Sequence, residues 1–140
     1  MSENINRLFV YGSLRSGFRS PAYQYLAHYF HLLGDAKVKG KLYDMGDYAA
    51  GVSTVEEKFI TGELYAINSA DEFDWAIAQL DDYEGMNVEK GEVPLFKREA
   101  VNVYIGDGTT TTWIYFFNGD MAGRPEIASG DLMEYLKNKR

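Results

Sequence analysis

Gly106-Asp107-Gly108 separates two strand-like runs, residues 95–105 and 110–117. Glycine and aspartate at such a junction favour a tight hairpin turn, because both tolerate the backbone angles it requires. The chain is therefore expected to fold back on itself there as an antiparallel pair. Upstream, residues 36–43 alternate strictly: Ala36, Val38, Gly40 and Leu42 against Lys37, Lys39, Lys41 and Tyr43. That period of two predicts a strand with one wet face. Leu8-Phe9-Val10-Tyr11, ended by Gly12, reads as a short buried strand. Residues 58–67 read as another, in which Gly62 marks a bulge or a close approach.

Helical signals lie between these runs. Ser20-Pro21 has the form of an N-cap and first helical residue. Leu26, Tyr29, Phe30 and Leu33 then repeat as one helix face, with Gly34 as a stop. Ser69-Ala70-Asp71-Glu72 has capping-box spacing, and Gly85 is placed to end the helix that follows. Asp131 to Lys139 predicts a short terminal helix, and Asp44 to Gly51 reads as a loop. The expected order is β-α-β-β-α-β-β-α. Adjacent strands with no helix between them suit antiparallel pairs in a mixed sheet. Glycines inside strands suit strong curvature. The expected class is α+β: a small mixed, strongly curled sheet or barrel with two main helices and a short C-terminal helix. At 140 residues, one domain over 1–140 is expected.

Apolar residues at 46% and charged ones at 25% are enough for a folded core, which argues against disorder. The net charge of −7 disfavours nucleic acid as a partner, since phosphate backbones need Lys and Arg. A small cationic or zwitterionic ligand is compatible with it. The absence of Cys removes disulfides, thiolate metal sites and Cys nucleophiles together. Met1-Ser2-Glu3-Asn4 is polar and acidic, unlike a signal peptide, and no apolar run approaches the ~18 residues of a membrane span. The expected location is the cytoplasm, away from membranes. The sequence sets no oligomeric state.

The stretch from Phe73 to Gly85 carries the most chemistry. At about 100° per residue, Phe73, Ile77 and Leu80 fall within about 60° of one another and form an apolar stripe. Glu84, four residues beyond Leu80, lies in that stripe, whereas Asp82 points away and Asp81 to a flank. A carboxylate turned towards a core is costly unless neutral or paired, and desolvation raises its pKa. The partial negative charge of a helix C-terminus acts in the same direction. Such a Glu can take up a proton and return it. A helix that frays earlier would instead leave Glu84 in solvent or paired with Arg98 or Lys97.

The loop after the first strand is the second candidate. Tight backbone after Gly12 can aim several N–H groups into a crevice, suited to a carboxylate or a developing oxyanion. A plain strand-to-helix turn is the other reading. The loop lacks the spacing of a phosphate-binding loop and of a nucleophile elbow. His28 and His31 lack a third ligand and make a poor zinc site. No spacing supports a triad of Ser13 with either His. Asp81, Asp82 and Glu84 could bind a hard cation but show no EF-hand spacing. Tyr43, Tyr65, Tyr104 and Tyr115 are expected in the core.

Phe9-Val10-Tyr11-Gly12-Ser13-Leu14-Arg15-Ser16-Gly17 resembles the opening signature of gamma-glutamylcyclotransferase-like proteins. Gly40-Lys41-Leu42-Tyr43-Asp44 with Tyr48, and Gly62-Glu63-Leu64-Tyr65-Ala66-Ile67, resemble two further blocks. Leu80-Asp81-Asp82-Tyr83-Glu84-Gly85 resembles the block with that family's catalytic Glu. Phe96-Lys97-Arg98-Glu99 and Ser129-Gly130-Asp131 resemble the last two. The chain is most similar to the short branch that holds gamma-glutamylamine cyclotransferases and uncharacterised bacterial relatives. Ala49 follows Tyr48 where many relatives carry Pro, and Phe96 stands where Tyr is frequent.

The resemblance implies a small α+β barrel without metal or cofactor, and a small-molecule substrate, a gamma-glutamyl amine or peptide. It implies a pocket between Tyr11, Gly12, Ser13 and Leu14 on one side and Glu84 on the other. The implied reaction is attack of the substrate's own alpha-amine on its side-chain amide, giving 5-oxoproline and a free amine. Glu84 would serve as general acid and base, and the Gly12–Leu14 amides would hold the alpha-carboxylate or the oxyanion. Arg98 and Tyr115 are open candidates for the same pocket. The competing functions are a non-catalytic module that binds a metabolite or peptide end in that pocket, and a cation-dependent hydrolase.

Overall fold

The computed structural model describes residues 5–12, 15, 21–46, 48–83, 96–119 and 123–138. Its elements are β1 (Arg7–Val10), α1 (Pro21–Tyr29), β2 (Phe30–Lys39), β3 (Lys41–Asp44), β4 (Ala49–Val52), β5 (Phe59–Ile67), α2 (Phe73–Tyr83), β6 (Phe96–Ile105), β7 (Gly108–Phe117) and α3 (Leu132–Asn138). Five strands close into a barrel in the order β1-β5-β2-β6-β7, and β3 pairs with β4 beside it. Antiparallel ladders make up the barrel except at its closure. There β1 runs parallel to β7, with Leu8 opposite Trp113 and Phe9 opposite Ile114. The architecture is the mixed α+β barrel expected from the sequence.

The hairpin forms as its turn residues dictate. Ile105 pairs with Gly108, so Gly106 and Asp107 alone make the turn. Gly106 takes a φ of +57°, where a Cβ would carry a penalty. Gly62 answers a different need. A Cβ there would lie 2.2 Å from the Val10 carbonyl oxygen, so β1 and β5 approach closely at this point.

Alternation along the strands builds two layers. Leu8 and Val10 pack outward with Leu26 of α1 and with Phe73, Ala76, Ile77 and Leu80 of α2. Phe9 and Tyr11 point the other way, into the barrel with Val38, Ile60, Leu64, Val103, Ile114 and Phe116. Full burial of such a side chain is worth about 1.5–3 kcal/mol relative to exposure. The α2 stripe read from the sequence is the face that docks on the barrel.

Four local expectations are corrected. The first helix ends at Tyr29, and Phe30 begins a strand instead of continuing a helical face. Phe30 pairs with Ile67 and is buried, whereas Leu33 is exposed, so strand pairing overrides a short helical period. Gly34 marks a register shift in β2, not a helix stop. Residues 49–52 are a strand, not part of a loop: Gly51 pairs with Leu42. Ser69 makes no side-chain cap, and a short 3₁₀ turn over Ala70–Glu72 leads into α2. The expected stop at Gly85 lies outside the described residues.

Candidate active site

β1 delivers Tyr11 and Gly12 to one end of the barrel. The Tyr11 ring is buried, and its hydroxyl donates to the Tyr115 carbonyl oxygen in a close contact. The same hydroxyl accepts from the Gly51 N–H at 3.2 Å. Gly51 has no alternative side chain here, since a Cβ would meet the Tyr11 ring at 2.7 Å. After Gly12 the chain turns, with the Arg15 N–H donating to the Gly12 carbonyl at 2.9 Å. The Arg15 guanidinium then reaches Asp131, at 3.0 Å. Asp131 also accepts the N–H groups of Met133 and Glu134, which caps α3. One carboxylate thus ties the turn after β1 to the start of the last helix. Partial burial alone would raise the Asp131 pKa. The bonds from Arg15, Glu134 and Met133 outweigh it and hold the carboxyl below its ordinary range.

The last turn of α2 is pinned to the barrel by a polar cluster. Arg98 of β6 donates through Nε and Nη2 to the two oxygens of Asp81, at 2.8 and 3.0 Å. The Tyr115 hydroxyl of β7 donates to the same carboxylate at 2.8 Å. The hairpin register sets this up: Arg98 lies directly opposite Tyr115, so both side chains share one sheet face. Trp113, two residues earlier on that face, lies under the guanidinium, 4.4 Å from ring centroid to carbon. Tyr115 therefore joins the two halves of the site. Its carbonyl holds Tyr11, and its hydroxyl holds Asp81.

Of the residues singled out in the sequence, Tyr11 and Gly12 are brought to this end of the barrel. Ser13, Leu14 and Glu84 lie outside the described residues; Glu84 follows α2 by one residue in the sequence. Arg98 and Tyr115 meet on Asp81, which the sequence placed on a flank. Asp81 is instead buried. The signal was present, since Asp81 falls about 40° beyond Ile77 on the helix wheel, at the stripe's edge. Glu63, buried opposite Val10 with the Tyr65 hydroxyl 3.1 Å from its Oε1, was not singled out. Its place in an alternating strand beside apolar neighbours gave the clue. His28 and His31 are exposed, and His31 belongs to β2, not to the helix. Tyr65 and Tyr115 are core residues as expected, whereas Tyr104 is exposed. Among the described residues no three His, Asp or Glu side chains gather as a metal site, and no helix is long and apolar enough to cross a membrane. A shallow depression of about 390 Å³, lined by Val38, Lys39, Asn102 and Thr111 among others, lies on the β2–β6 seam away from this cluster.

The family model for gamma-glutamyl cyclotransferase, AIG2-like, matches residues 8–134. The chain belongs to this family. YkqA from Bacillus subtilis has 28% identity and a TM-score of 0.68, matching 93% of this chain but 40% of its own. This chain therefore spans about two-fifths of YkqA. The ytfP protein of Escherichia coli has 26% identity and a TM-score of 0.62, over 92% of this chain and 97% of its own. An aig2-like protein (ggact) from Mus musculus shares the fold at 18% identity, with a TM-score of 0.64 over 92% of this chain and 90% of its own. No curated protein matches. Membership of the gamma-glutamyl cyclotransferase, AIG2-like family brings a cyclotransferase-type fold and the expectation of a small-molecule substrate.

Proposed function

We propose that this chain is a gamma-glutamyl cyclotransferase-type enzyme that releases 5-oxoproline from a small gamma-glutamyl amide. The observation that carries the reading is the family match along residues 8–134, which takes in both Tyr11–Leu14 and Glu84. The geometry of the described residues supports it. Tyr115 ties the strand that leads into the Gly12 loop to the helix turn that precedes Glu84.

In this reading the substrate supplies its own nucleophile. The alpha-ammonium gives a proton to Glu84, and the freed amine attacks the gamma-carbonyl carbon. A new C–N bond closes the five-membered ring, and the original amide C–N bond breaks. The ring nitrogen loses two protons in all, and the leaving nitrogen gains two, departing as an ammonium. Glu84 carries them one at a time, a role worth about 10²–10⁴-fold. The N–H groups of Gly12 to Leu14 hold the alpha-carboxylate or the oxyanion. No enzyme nucleophile and no cofactor enters the scheme.

The experiment is a panel of gamma-glutamyl amines assayed for 5-oxoproline. Turnover by the wild type and its loss in Glu84→Gln, with unchanged melting, is the expected result. Normal turnover by Glu84→Gln would remove Glu84 from the role. Ligand-induced melting shifts without product from any amide would point to a binding module instead.

A further inference from the structure

Tyr48 lies on two buried phenyl rings at the end of the barrel where Gly12 emerges. Its ring centroid is 6.0 Å from that of Phe96 and 6.1 Å from that of Phe117, and those two are 5.5 Å apart. Phe96 and Phe117 are paired across the hairpin and are 8% and 9% exposed. Tyr48 keeps 40% of its surface open. Phe96 and Phe117 share a sheet face with Arg98 and Tyr115, two residues further along each strand. β1 runs parallel to β7, so Gly12, just past the end of β1, and Phe117, the last residue of β7, lie at the same end of the barrel. The Tyr11 hydroxyl bonds both the Tyr115 carbonyl, two residues before Phe117, and the Gly51 N–H, three residues after Tyr48, so an aromatic wall stands near the start of the proposed donor loop.

We infer that Tyr48, backed by Phe96 and Phe117, is the surface against which the leaving amine packs, and that the substrates are gamma-glutamyl amides of apolar, ring-bearing amines. The inference rests on the cyclotransferase reading above. With the alpha-carboxylate held at the Gly12 amides, the gamma-amide nitrogen sits at the opposite end of the glutamyl group, and its substituent extends beyond it to this wall. The wall there is carbon-rich, and Arg98 and Asp81, on the same sheet face, neutralise each other. An aromatic amine gains ring contacts on such a surface, whereas a short alkyl amine does not reach it.

The test compares gamma-glutamyl phenethylamide with gamma-glutamyl methylamide on the wild type, Tyr48→Ala and Tyr48→Phe. Tyr48 is exposed enough for both variants to fold, which a melting curve checks. The wild type should show a KM about tenfold lower for the phenethylamide, the worth of one aromatic contact. Tyr48→Ala should raise that KM about tenfold and leave the methylamide unchanged, and Tyr48→Phe should keep the wild-type pattern. A Tyr48→Ala effect equal for both amides, or absent for both, overturns the inference while leaving the cyclotransferase reading intact. Turnover of neither amide alongside turnover of other members of the panel overturns the inference and leaves the cyclotransferase reading standing, and turnover of no member of the panel ends both.

Discussion

Arg98 holds Asp81 by two parallel bonds, 2.8 and 3.0 Å long, from neighbouring strand to helix end. Planar guanidinium and carboxylate match in this geometry, and both partners are largely removed from water. Asp81→Ala would leave the cation over Trp113 without its anion. The expected loss is about 2–4 kcal/mol of stability, read as a lower urea midpoint. Arg98→Lys keeps the charge but loses the fork, and should fall between Asp81→Ala and the wild type. An Asp81→Ala midpoint equal to the wild type would show that the pair does not hold the last turn of α2 to the barrel.

Gly12 and Gly62 make opposite predictions. A Cβ at Gly62 would lie 2.2 Å from a backbone oxygen, which cannot move aside without parting β1 from β5. Gly62→Ala should cost about 3 kcal/mol, measured by thermal melting. A Cβ at Gly12 meets nothing within 4 Å, so Gly12→Ala should melt as the wild type does. If substrate approaches that backbone as proposed, Gly12→Ala should still raise KM about tenfold. An unaltered KM would place the substrate elsewhere.

These contrasts also show which features were legible in the sequence. The hairpin was, because Gly106-Asp107-Gly108 determines its own turn and therefore the pairing of Arg98 with Tyr115. The α2 stripe was, because Phe73, Ile77 and Leu80 are buried for the reason their spacing gives. The start of β2 was not. Phe30 follows a helical period as well as a strand period, and only the presence of β5 beside it decides. Barrel closure was equally hidden, since the parallel contact of Phe9 with Ile114 joins segments about a hundred positions apart. In the site, the helix wheel puts Asp81 at the edge of the stripe, and only Arg98 and Tyr115, brought opposite it by the barrel, decide that the carboxylate is buried.

Tyr11→Phe isolates one hydroxyl. The ring stays in its slot against Gly51, but the Tyr115 carbonyl loses a donor and the Gly51 N–H loses an acceptor. Both groups are buried, so the expected cost is about 1–3 kcal/mol. Hydrogen exchange at the Gly51 amide should speed up more than exchange at amides of β6. Exchange unchanged at Gly51 would mean that the hydroxyl contributes nothing to closing that amide.

The Arg15–Asp131 tie should give the fold an acid limit. The Asp131 carboxyl sits below its ordinary pKa of 3.8 in the folded protein, so folding favours its ionised form. For a depressed pKa, the stabilisation is complete above the unfolded value and is lost as pH falls through the folded one. Asp131→Asn removes the ionisation but keeps an oxygen that can cap α3. The wild type should therefore melt above Asp131→Asn at pH 7, and the gap should close as pH drops below about 4. Arg15→Gln should narrow the gap at pH 7, since the guanidinium is the partner that favours the ionised form. Melting curves of the four combinations at pH 7 and pH 3 measure the coupling. A gap that is the same at both pH values would show that the Asp131 charge is not what fastens the turn after β1 to α3.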